Sequence, residues 1–120
     1  MKVFISTPTR GKTREQIRAY RQKQINVLKA MYPEEEIEVI DSVVTDTPPQ
    51  SANESILYLG KSISLMSGAD TLASPHHATW YNGCRIERNV ASSYGLKIID
   101  LPRLPEDDPK PYEDENILEF

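Results

Sequence analysis

Apolar residues along the chain occur as short runs and as spaced stripes, and the two kinds alternate. Val3-Phe4-Ile5 is a run closed by Thr7-Pro8, which predicts a buried strand. Thr13 and Gln16 have capping-box spacing and open a helix. Ile17, Tyr20, Val27, Leu28 and Met31 fall on one side of it, with Arg18, Gln22, Lys23, Asn26 and Lys29 on the other. Pro33 marks its end. Residues 37–40 lead into a second strand that reaches Val43 or Val44. A loop with Pro48-Pro49 follows, and Ser51 and Glu54 repeat the capping-box spacing. Ile56, Leu59, Ile63 and Met66 then form a second helical stripe, with Gly68 as its stop. Asp70 to Ser74 read as a weak third strand broken by Pro75, and His76 to Asn82 as a polar, aromatic loop. A third helix runs from Gly83 to Tyr94 and ends at Gly95. Residues 96–99, Leu-Lys-Ile-Ile, make the fourth strand.

The order β-α-β-α-β-α-β predicts an α/β, three-layer Rossmann-like domain over residues 1–101. About four parallel strands are flanked by three helices, joined by right-handed crossovers. Such sheets bind ligands beyond the carboxyl ends of their strands. The loops at 6–12, 43–50 and 74–82 are therefore expected on one edge. Residues 102–120 carry four prolines and seven acidic residues and end in Ile117-Leu118-Glu119-Phe120. They read as an extended, Pro-rich acidic C-terminal tail, either disordered or docked by its apolar end on another subunit.

Composition narrows the functional classes. A chain of 120 residues suits one domain, and 38% hydrophobic content supports one core. A net charge of -4 gives no bulk attraction for nucleic acid, although basic residues cluster from Arg10 to Lys29. Cys84 is the single cysteine, so neither an internal disulfide nor a cysteine-based zinc site is expected, and a reducing, cytoplasmic setting fits. No signal peptide, membrane-length apolar run or internal repeat is read.

Two stretches carry candidate chemistry. Ser6 to Thr13 reads STPTRGKT and ends like a triphosphate-binding loop. Such a loop needs early glycines, and Ser6-Thr7-Pro8-Thr9 stand there instead; Pro8 has no N–H to donate. ATP with magnesium is therefore not expected, and no cofactor is assigned. The plain reading is a turn glycine, a solvated lysine and a helix cap. The loop still feeds a helix N-terminus, which leaves Ser6, Thr7, Arg10, Gly11 and Lys12 as candidates for a ribose or phosphate.

The second stretch is Gly83-Cys84-Arg85-Ile86-Glu87. Gly83 and Glu87 are four apart on one helix face, so the glycine leaves space beside the carboxylate. Glu87 is expected near the sheet edge, either as a solvated charge beside Arg85 and Arg88 or as a nucleophile toward a sugar carbon. Trp80 and Tyr81 either stack on a base or anchor their loop. Asp70 either bonds a ligand or caps the turn at Gly68. His76-His77 is not assigned to a metal, because adjacent side chains seldom share an ion and no carboxylate stands at a useful spacing. Cys84 reads as a buried thiol.

Taken together these pieces resemble the nucleoside 2-deoxyribosyltransferase-like superfamily, including deoxynucleoside 5'-monophosphate N-glycosidases and small phage and prophage relatives. The resemblance rests on Val3-Phe4-Ile5-Ser6, Arg10-Gly11, the Gly83 to Glu87 segment, Ala91, and Gly95 with the strand after it. It covers about residues 1–101. The family commonly has Glu-x-Gly where this chain has Glu87-Arg88-Asn89, and an acidic residue where it has Trp80-Tyr81-Asn82. The resemblance implies Glu87 as nucleophile on an N-glycosidic bond. Ser6, Thr7, Arg10, Gly11, Lys12, Asp70, Trp80, Tyr81, Asn82, Gly83 and Arg85 are then the ligand contacts. It also implies a homo-oligomer, a dimer or higher. Two alternatives stand beside it. One is a phage anti-defence protein that sequesters a nucleotide-derived signal such as a cyclic ADP-ribose without turnover. The other is an interaction module acting through the tail.

Overall fold

β1 (Lys2–Ile5) lies in the middle of a parallel sheet with order β2-β1-β3-β4, and the strands that follow it in sequence are laid down on both its sides. The computed structural model describes residues 1–41, 53–105 and 107. Within them the elements are β1, α1 (Arg14–Met31), β2 (Glu38–Val39), α2 (Glu54–Met66), β3 (Thr71–Pro75), a 3-10 turn (Ala78–Trp80), α3 (Asn82–Ser93) and β4 (Lys97–Leu101). Val3 pairs with Val39 on one side and with Thr71 on the other; Leu72 pairs with Ile98.

The alternation of side chains along β1 builds a layer on each face. Val3 and Ile5 pack with Ile25 and Leu28 of α1 and with Ala73, Ile99 and Leu101. Phe4 points the other way, to Leu72, Met66 of α2 and Ala91 of α3. One helix therefore covers one face and two cover the other, the expected three-layer α/β fold.

Local chemistry sets the element ends. Thr13 accepts a hydrogen bond from Gln16 N, and the Gln16 side chain accepts one from Thr13 N, which completes the capping box. Gly95 sits at φ +80°, a left-handed conformation that glycine takes without a Cβ penalty, and it stops α3.

Several boundaries differ from the sequence reading. The cap of α2 is Asn53, whose side chain accepts from Ile56 N; Ser51 lies outside the described residues. α2 ends at Met66, with Ser67 as its cap and no left-handed glycine at Gly68. β2 is two residues long, continued by Ile40 N donating to Val3 O, and Val43 and Val44 lie outside the described residues. Pro75 closes β3 rather than breaking it, because it pairs with Leu101 at the strand end and the next N–H, from His76, bonds Leu101 O. On α1, Gln24 and Ile25 are buried while Met31 is exposed, so the inward stripe is rotated from the expected one.

The tail reading divides. Leu104 and Asp107 fold back and are buried on this chain. Asp107 accepts from Leu104 N at 2.7 Å and from the Tyr20 hydroxyl. The apolar end at 117–120 lies outside the described residues, as does the loop at 43–50.

Candidate functional site

β1 and β3 are neighbours, and the connections leaving them turn to opposite faces, which opens a crevice at their carboxyl ends. Ser6 is the first residue past β1; its N–H bonds Ala73 O at 2.9 Å and its side chain is buried. Its hydroxyl donates to Glu87 Oε1 at 2.8 Å. Glu87, one turn into α3, is only 7% exposed. It is therefore not a solvated surface charge, and its hydrogen bond to Ser6 holds it at the carboxyl edge of the sheet. Burial pushes its carboxyl from the usual 4.5 up to about 7, against the opposing pull of hydrogen bonds from Ser6 and Ser62.

The carboxylate stands in the wall of a cleft of about 710 Å³. Thr7, Arg10 and Lys12 of the first loop line it, with Tyr81, Asn82 and Gly83 at the head of α3. A Cβ at Gly83 would meet nothing within 4 Å, so Gly83 borders open space in the cleft. Arg14 and Arg21 of α1 add positive charge, Asp41 and Glu54 add negative charge, and Ile17, Ile40, Leu59 and Ile86 supply apolar wall. Ile56, 66% exposed, also faces the cleft.

The first loop is held from beneath. Gln24 Nε2 donates to Ser6 O at 2.8 Å, and Gln24 Oε1 accepts from Thr7 Oγ1 at 2.7 Å. Arg10 donates to Trp80 O at 3.2 Å and lies 5.5 Å from the Tyr81 ring centre. The Lys12 ammonium sits 5.3 Å from the Tyr20 ring centre and 5.5 Å from that of Tyr81, a cation-π placement.

The Gly-Lys-Thr segment does not form a phosphate cradle. Lys12 N–H is spent on Thr9 O at 3.1 Å, and Thr13 N–H on the Gln16 side chain at 2.8 Å. We expect no magnesium-dependent, micromolar affinity for ATP by calorimetry. Such affinity, lost in Lys12→Ala, would contradict this.

Other residues named from sequence lie off the cleft. Asp70 is at the opposite, amino edge of the sheet, where it accepts from Lys2 N and from the Thr71 hydroxyl. It immediately precedes β3, and a parallel strand puts its amino end far from the carboxyl edge. Trp80 turns its ring to His77, with centres 4.8 Å apart. Arg85 donates to the Asn82 side chain. Gly11, at φ +73°, shapes the loop without lining the cleft. Cys84, by contrast, is buried in the cleft wall, and its thiol is pushed up to about 12 by desolvation and by Glu87, which keeps it unreactive.

Four residues escaped the sequence reading: Gln24, Ser62, Arg21 and Asp107. Arg21 donates to Ile40 O at 2.6 Å beside the cleft. Spacing along the chain offered no carboxylate to His76-His77, yet the fold brings Asp107 to within 3.6 Å of His77 Nε2. Burial pushes His77 down to about 4, with Asp107 opposing. Compared with family models, curated proteins and solved structures, the chain matches none, so its chemistry is read from this cleft alone.

Proposed function

We propose that the cleft binds a nucleoside or nucleotide and that Glu87 cleaves or transfers at its N-glycosidic bond. One observation carries this reading: a buried carboxylate, gripped by Ser6 at 2.8 Å, faces an open space at the carboxyl edge of a parallel sheet. A carboxylate there attacks the anomeric carbon and the bond to the base breaks, its electron pair leaving on the base nitrogen. Water then resolves the glycosyl ester and returns the carboxylate. The resemblance of the Gly83 to Glu87 segment to the deoxyribosyltransferase-like superfamily supports the same assignment. The cations Arg10, Lys12, Arg14 and Arg21 around the cleft suit a ligand with an anionic group, and Tyr81 suits a base.

The experiment is incubation with pooled nucleosides, nucleotides and cyclic ADP-ribose isomers, read by mass spectrometry. Free base is the expected product. A ligand depleted from solution but recovered intact after denaturation would replace the enzyme by a sequestering protein, the second reading that the same cations favour. Neither cleavage nor depletion of any pool member would remove both.

Assembly belongs to the same proposal. The short β2 leaves one sheet edge thinly covered, and a chain of this size buries limited surface alone. We expect light scattering to give at least a dimer for the full chain at micromolar concentration. A monomeric mass there would end this part of the proposal and leave the cleft chemistry standing.

A further inference from the structure

His76, His77 and Asp107 form a cluster behind the aromatic wall of the cleft, and we propose that it is a binding site for one divalent transition cation of the zinc class. One ligand atom from each residue can be chosen so that all lie within 4.8 Å of one another. The inner pair fits most closely. His77 Nε2 and Asp107 Oδ1 are 3.6 Å apart, too far for an ordinary hydrogen bond. Two ligands of a tetrahedral zinc with bonds of about 2.0–2.1 Å stand roughly 3.3–3.4 Å apart. The observed gap needs to close by only a few tenths of an ångström.

His77 Nε2 supplies the independent observation. It is a buried nitrogen with no hydrogen-bond partner, on a side chain 1% exposed, and it is directed at a carboxylate that is 3% exposed. A buried polar atom of this kind is costly unless something satisfies it. A cation between Nε2 and Oδ1 would satisfy both.

The surroundings follow the pattern of a supported metal site. His77 Nδ1 is 2.9 Å from His76 Nδ1, which keeps the two rings together; His76 gives up this contact when its own nitrogen turns to the cation. Asp107 is oriented by Leu104 N and by the Tyr20 hydroxyl. Two imidazoles and one carboxylate select borderline cations such as Zn2+ over Mg2+, which prefers oxygen ligands throughout. Lys12 and Arg103 act electrostatically on His77 and oppose a cation. The ring of His77 also lies 5.5 Å from that of Tyr81, so an ion here would brace the cleft wall from behind.

The test is equilibrium dialysis of the full chain against ZnCl2, with bound metal counted by mass spectrometry and MgCl2 run in parallel. The expected result is one saturable zinc per chain and no magnesium. His77→Ala and Asp107→Asn should each weaken zinc by roughly tenfold or more. His76 is exposed, so His76→Ala should keep the fold by circular dichroism and still weaken binding. Zinc should raise the melting temperature of the wild type more than that of His76→Ala. No saturable zinc on the wild type overturns the proposal. So does zinc affinity unchanged in folded His76→Ala.

Discussion

Glu87→Gln is expected, on the proposed reading, to cost about four orders of magnitude in turnover at the N-glycosidic bond, the scale on which removal of a nucleophile is felt. Glutamine keeps the volume of the side chain and can still accept from the Ser6 hydroxyl, so ligand affinity should stay within a few-fold. The wild type should also show the titration of this carboxyl. A nucleophile must be ionised, and burial holds Glu87 up to about 7. The rate should therefore rise with pH and level off above neutrality. A rate that falls across the same range would make Glu87 a proton donor. Undiminished turnover in Glu87→Gln would remove it from the chemistry.

The same substitution should stabilise the fold at alkaline pH. An acid whose folded pKa stands above its unfolded value binds its proton more tightly when folded. The stability this provides is whole below the unfolded value and is lost as pH rises through the folded one. For Glu87 the window runs from 4.5 to about 7. Above it, the buried charge costs on the order of 3 kcal/mol. Glu87→Gln carries no such charge, so at pH 8 it should exceed the wild type by about 3 kcal/mol, on the order of 10 °C in Tm. The gap should close by about pH 4.5. His77, depressed by burial, changes stability in the opposite sense; the difference between the two proteins, rather than either curve, isolates Glu87. Urea melts at the two pH values measure it. Equal stability at pH 8 would mean that the carboxylate is compensated far better than its burial implies.

Element order, the Thr13 cap and the stop at Gly95 were legible because each is written within a few neighbouring residues. Gln24 was not legible. A glutamine among Gln22, Lys23 and Asn26 reads as solvent-facing, and only the distant Ser6 carbonyl and Thr7 hydroxyl make its burial affordable. Asp107 was hidden for the same reason: it sits in an acidic tail, and its partners Tyr20 and His77 lie far back along the chain. Glu87 was legible as a candidate through its offset from Gly83. Its depth was not, because burial depends on Ser6 and Ser62 arriving from other elements. Asp70 shows the reverse error. Its polarity beside a strand attracted a ligand role, while the strand's direction put it at the wrong edge.

The hydrogen bond between Ser6 and Glu87 joins residues 81 positions apart. It spans two helices and the strands between, and no local segment contains a precursor of it. Closing so long a loop is unfavourable until the sheet has formed around it. The cleft is thus expected to form late in folding, and a chain in which it has not formed carries an ordinary glutamate with an ordinary acidity. On the proposed reading, the raised pKa of Glu87 and the complete tertiary structure arrive together, so a half-folded chain holds no primed nucleophile.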